Sequence, residues 1–119
     1  MSKKFIFIFL FFCLIGLTLA GCSRGNNGGG TEAGLILYTS DSCPHCANVE
    51  EFMAENKVIE KLNLVRKEVS KNQSNAVELL SRAQACGLPS NNVGVPFLWH
   101  DGQCLLGDED IINFFKTKL

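Results

Sequence analysis

The stretch Leu35-Ile36-Leu37-Tyr38-Thr39-Ser40-Asp41-Ser42-Cys43-Pro44-His45-Cys46 decides how the rest of the chain is read. Its first five residues form a continuous apolar run rich in strand formers, as a strand buried on both faces requires. Ser40, Asp41 and Ser42 are turn and cap residues. Pro44 suits the first turn of a helix, where a missing N–H costs nothing. The helix is predicted to run to about Asn56, with Ala47, Phe52 and Met53 as its apolar face and Val49 flanking. Two cysteines spaced two residues apart therefore fall between a strand end and a helix start.

Beyond that helix, Leu62 to Val69 is predicted as a second strand. Ser74, with Asn75 as the alternative, reads as the N-cap of a second helix. Its apolar members are Val77, Leu80, Ala83 and Ala85, and it stops at Cys86-Gly87. Leu88 to Asn92 is a loop. Gly94 to Trp99 is a third strand, Asp101-Gly102 a tight hairpin signal, and Gln103 to Leu106 the returning strand. Asp108 to Lys118 is a last helix with acids at its start and lysines at its end, as the helix dipole prefers. Ile111, Ile112, Phe114 and Phe115 are its apolar members. The order is β-α-β-α-β-β-α. A crossover pairs the first two strands in parallel, and the hairpin pairs the last two antiparallel. The expected fold class is α/β, a mixed four-stranded sheet flanked by helices.

The folded unit is expected over residues 35–119. What precedes it has a different character. Lys3 and Lys4 are followed by an apolar stretch, Phe5 to Ala20, shorter than the roughly 20 residues of a comfortable transmembrane helix. A basic start, a short apolar run and small residues at its end make a secretory signal over residues 1–21. Leu19-Ala20-Gly21-Cys22 resembles the lipobox of bacterial lipoprotein signals, which implies cleavage before Cys22 and a diacylglycerol on its sulfur. The bland alternative is an ordinary signal or an uncleaved anchor with a chance cysteine. Residues 22–34, dominated by Gly and Asn, read as a lipidated cysteine followed by a flexible tether. The expected location is extracytoplasmic, lipid-anchored to a bacterial membrane.

The formal net charge is −1, and losing Lys3 and Lys4 makes the balance more acidic. With no basic run, nucleic acid is not an expected partner. Six cysteines occur, at 13, 22, 43, 46, 86 and 104. Cys13 leaves with the signal and Cys22 carries lipid, so four remain in a compartment where disulfides persist.

Cys43 and Cys46 admit three readings. They can be half of a zinc site, but Cys86 and Cys104 form no second close pair and His100 is the only other histidine. They can be a structural disulfide, but so small a loop adds little stability. The third reading is a thiol–disulfide centre. A helix N-terminus directs unpaired N–H groups at Cys43 and favours its thiolate, the attacking species. Cys46, one turn further in, resolves the mixed disulfide. Pro44 fixes the helix entry. His45 can add positive charge or an N–H donor near the Cys43 sulfur, or it can be a solvated surface residue. Stabilising the reduced form makes the disulfide a stronger oxidant, which leans toward donating or shuffling disulfides. Cys86 and Cys104 can form a structural bridge, act as a second redox pair, or stay as separate buried thiols; the oxidising compartment favours the bridge. Trp99, Phe97, Phe114 and Phe115 read as core rather than a cofactor site.

From Leu35 to Leu119 the chain resembles the thioredoxin superfamily in its small glutaredoxin-like form. The Cys-Pro-His-Cys motif after the first strand, Val95-Pro96 at the start of the third, and Gly107-Asp108 before the last helix carry the resemblance. It implies that Pro96 is cis and faces the active site, leaving the Val95 backbone free to pair with an extended substrate. The Cys-Pro-His-Cys sequence and the Val before Pro match the DsbA type of disulfide oxidase, whose large helical insertion this chain lacks. Leu37 stands where thioredoxins carry a buried acid, and Val95 where glutaredoxins usually have Thr. Only part of the glutathione-binding pattern is kept. The resemblance implies a thiol–disulfide oxidoreductase without a cofactor or bound metal, acting as a monomer. Its expected partners are protein thiols and disulfides, a membrane redox partner, and the bilayer through Cys22. The alternative is a binding module holding a metal such as copper through Cys43, Cys46 and His45.

Overall fold

A computed structural model describes residues 34–119. The signal, Cys22 and most of the tether lie outside the described residues. Four strands form one sheet: β1 (Leu35–Thr39), β2 (Val65–Glu68), β3 (Phe97–His100) and β4 (Gln103–Leu106), in the order β2-β1-β3-β4. β1 pairs in parallel with β2, from Ile36 opposite Val65 to Thr39 opposite Glu68. It pairs antiparallel with β3, from Leu35 opposite His100 to Tyr38 opposite Phe97, and β3 pairs antiparallel with β4. The protein is thus α/β with a mixed four-stranded sheet.

Among the described residues four α-helices flank it: α1 (Pro44–Asn56), α2 (Val58–Leu62), α3 (Gln73–Ala85) and α4 (Asp108–Lys118). All five side chains of β1 are buried, because both faces of the sheet are covered. Alternation sends Leu35 and Leu37 to one face, where they meet Val49 and Met53 of α1 and Ile111 and Phe115 of α4. Ile36 and Tyr38 go to the other face and meet Leu79 and Ala83 of α3, with Phe97. Each large side chain buried this way contributes about 1.5–3 kcal/mol. No helix among the described residues is long and apolar enough to cross a membrane.

Several boundaries differ from the sequence reading. Leu62 does not open the second strand; it ends α2, which Asn63 closes in the left-handed conformation (φ 50°). The strand proper is Val65–Glu68. The cap of α3 is Asn72, not Ser74 or Asn75, and its Oδ1 accepts a hydrogen bond from the Asn75 N–H at 3.2 Å. On that helix Leu79 and the expected Ala83 are buried, while Val77 and Leu80 are 59% and 39% exposed. On α1 the buried stripe is Cys46, Val49 and Met53, with Ala47 exposed and Phe52 half-buried. β3 begins at Phe97 rather than Gly94; Pro96, with no N–H, cannot donate to a ladder.

Candidate active site

The connection from β1 to α1 is a single turn. The Cys43 N–H donates to the Ser40 carbonyl at 3.1 Å, which places Cys43 at the N-cap of α1 with Pro44 in the first turn. There the Cys46 N–H donates to the Cys43 Sγ at 3.1 Å. This is the orphan donor of a helix start turned onto a sulfur, and it favours negative charge there. The two cysteines are joined as a disulfide, with Cα atoms 5.2 Å apart. Cys43 is half-buried and Cys46 only 1% exposed, so only the first sulfur is open to an incoming thiolate.

From the other side comes β3. The Val95–Pro96 peptide bond is cis, and the Pro96 side chain is fully buried. The Val95 carbonyl oxygen lies 3.4 Å from the Cys43 Sγ. A Cys43 thiol could donate to that oxygen and a thiolate could not, so Val95 works against the thiolate that the Cys46 amide favours. The Gly107 N–H donates to the Pro96 carbonyl at 3.1 Å, which ties the start of α4 to the same corner. Gly107 adopts φ 86°, a conformation glycine takes without steric cost, and the next residue is Asp108.

Asp108 gives His45 its polar partner. Its Oδ2 lies 3.2 Å from the His45 Nδ1 and accepts a hydrogen bond from the Asn48 Nδ2 at 2.7 Å. The Asn48 amide first, then His45, lower the Asp108 carboxyl to about 2. His45 is otherwise open, its side chain 71% exposed. Cys43, Pro44, His45, Cys46, Val95 and Pro96 therefore converge on one end of the sheet. Sequence reasoning missed Asn48 and Asp108 as members. Asn48 had a signal, since it lies three residues after His45 and so on the same helical face.

Beneath this corner Thr39 closes β1. It is fully buried, and its Oγ1 has no hydrogen-bond partner among the described residues.

Cys86 and Cys104 form a second disulfide, with Cα atoms 6.2 Å apart, joining the end of α3 to β4. Phe97 and Phe115 are core residues; Trp99 is half-buried, with the Arg82 guanidinium 3.9 Å above its ring. Among the described residues no group of three or more His, Cys, Asp or Glu side chains is placed to hold a metal ion. Two shallow hollows lie elsewhere, one beside Met53, Ile59 and Arg66, the other beside Leu62, His100 and Phe114. Neither is bordered by Cys43 or Pro96. No protein-family model matches this chain, and no curated protein matches it.

Proposed function

We propose that the protein is a thiol–disulfide oxidoreductase of the thioredoxin superfamily, held outside the cytoplasm by lipid on Cys22. The observation that carries this reading is the asymmetry of one disulfide. Cys43 is accessible at a helix N-cap and receives the Cys46 N–H, while Cys46 is buried one turn in. The sheet order, with β1 between a parallel and an antiparallel neighbour, supports a thioredoxin-like topology. The cis Val95–Pro96 bond beside the sulfurs supports it further.

In the oxidising direction a substrate thiolate attacks the Cys43 Sγ. A bond forms between those two sulfurs, the Cys43–Cys46 bond breaks, and its electron pair leaves on Cys46. A second substrate thiolate then attacks the substrate sulfur of the mixed disulfide and releases Cys43 as a thiolate. Two electrons pass from the substrate dithiol to the enzyme. The Cys46 amide at the Cys43 Sγ stabilises the released thiolate, which favours this direction.

Insulin reduction and oxidation of a reduced unfolded protein test the reading together, with Cys43→Ser as the control. The wild type exchanges disulfides and the variant does not. A wild type that exchanges none but binds one copper ion tightly overturns the enzyme reading.

A further inference from the structure

Cys46 must leave as a thiolate in a place that water does not reach, since it is 1% exposed. A buried unpaired charge is costly, and the usual remedy is a hydrogen-bond donor or a proton acceptor close by. Leu37, fully buried, supplies neither. Among the described residues, the Thr39 hydroxyl at the same corner is a donor with no hydrogen-bond partner. An unpartnered buried hydroxyl is costly, so it calls for a reason.

Three placements put the two groups on the same side of the same end of the sheet. Leu35 and Leu37 face α1, while Ile36 and Tyr38 face α3, so alternation turns Thr39 toward α1. The tight turn at Ser40–Cys43 joins β1 directly to α1, whose Val49 and Met53 share a core cluster with Leu35 and Leu37 of β1. The buried stripe of α1 is Cys46, Val49 and Met53, and the residue of that stripe nearest the helix start is Cys46. Extending the β1–β3 register by one residue sets Thr39 opposite Pro96, the residue after Val95, whose carbonyl lies against the Cys43 Sγ.

We infer that the Thr39 hydroxyl is the hydrogen-bond donor for the Cys46 thiolate, unpartnered in the disulfide form and engaged when the Cys43–Cys46 bond opens. The inference rests on the redox reading of that pair. No oxidant is consumed and no proton leaves Thr39. The hydroxyl proton stays on oxygen while its hydrogen bond goes to the sulfur that has gained the electron pair. The arrangement penalises the disulfide form and rewards the reduced form, so both effects push the couple toward being a stronger oxidant.

The test is a redox equilibrium of the full chain in graded glutathione buffers, with the state of Cys43 and Cys46 read by alkylation mapping. Wild type is compared with Thr39→Val, which keeps the shape and removes the hydroxyl, and with Thr39→Ser, which restores it. Thr39→Val is expected to shift the equilibrium about tenfold or more toward the disulfide, the scale of a lost hydrogen bond to charge. Thr39→Ser is expected to stay near wild type. Denaturation of both redox forms is the second readout. Thr39→Val is expected to leave the disulfide form as stable as wild type or more so, and to weaken the reduced form. An unchanged equilibrium in Thr39→Val overturns the inference. So does an equal shift in Thr39→Ser, or a loss of stability confined to the disulfide form. If Thr39→Val does not fold, Thr39→Ala takes its place under the same criteria. These outcomes are separate from failure of the oxidoreductase reading, in which the wild type itself exchanges no disulfide with protein substrates.

Discussion

The Nδ1 of His45 lies 3.2 Å from the Oδ2 of Asp108, a residue 63 positions further along the chain. The contact joins the first turn of α1 to the first turn of α4. It makes the polar setting of His45 a property of two helices rather than of the Cys-Pro-His-Cys motif alone.

Asp108 carries a pH dependence with a definite sign. Hydrogen bonds from Asn48 and His45 lower its carboxyl from 3.8 to about 2. A carboxyl lowered in the folded state adds stability above its unfolded value and loses it as pH falls through the folded one. The contribution is therefore present at neutral pH and fades between about pH 4 and pH 2. Asp108→Asn is expected to be less stable than wild type at neutral pH, and the gap is expected to close toward pH 2. Denaturant midpoints of the two proteins across that range check it; a gap independent of pH contradicts it.

Removing the second bridge tests a different part of the fold. Cys86 and Cys104 are 18 residues apart and tie α3 to β4. Closing a loop of that length is worth about 3 kcal/mol. Cys86→Ser with Cys104→Ser is expected to lose about that much stability by denaturant titration, while thiol exchange at Cys43 continues. Loss of exchange in a variant that is still folded would instead make the second pair part of the electron path.

Tyr38, the chain's only tyrosine, is fully buried, and its hydroxyl donates to the Glu78 Oε1 at 2.9 Å. Glu78 also accepts from the Lys67 Nζ at 2.5 Å. Burial first, then Glu78, push the phenol above its ordinary value. Phenolate absorbance is expected to appear only as the protein unfolds in alkali. Tyr38→Phe is expected to cost about 1.5 kcal/mol, the scale of a hydrogen bond to a carboxylate. Tyrosine ionisation in the folded protein at its ordinary value contradicts the placement.

The face of α3 gives a paired comparison. Leu79 is 6% exposed and Leu80 is 39% exposed. Leu79→Ala is expected to cost about 2–5 kcal/mol and Leu80→Ala under about 1 kcal/mol, read from the same denaturant titration. The reverse order would restore the helix face expected from sequence.

That face shows where the sequence was hard to read. The expected members Val77, Leu80, Ala83 and Ala85 and the buried residues Leu79 and Ala83 share Ala83 and differ in which of two adjacent leucines faces the sheet. Adjacent residues lie about 100° apart on a helix, and packing rather than the sequence pattern decides between them. The strong signals were local ones: the continuous apolar β1, the turn and proline before α1, the Asp101-Gly102 hairpin, and the acid-to-lysine polarity of α4. Leu62 was misplaced because α2 is a single short helix, too brief for its period to outweigh the apolar alternation around it. At the site, the members that share one short stretch, Cys43 to Cys46, were legible together. Asp108 and Thr39 were not, since their roles arise from packing between elements that are distant or alternate in sequence.

The most direct test of the central claim is a trapping experiment. With Cys46→Ser the attacking cysteine is left without its resolving partner, so a mixed disulfide with a protein substrate should accumulate. The expected result is a covalent adduct through Cys43 that a reducing agent releases, and its absence in Cys43→Ser. No adduct from Cys46→Ser, in a folded protein offered both reduced and oxidised substrates, would rule out Cys43 as the attacking thiol of an oxidoreductase.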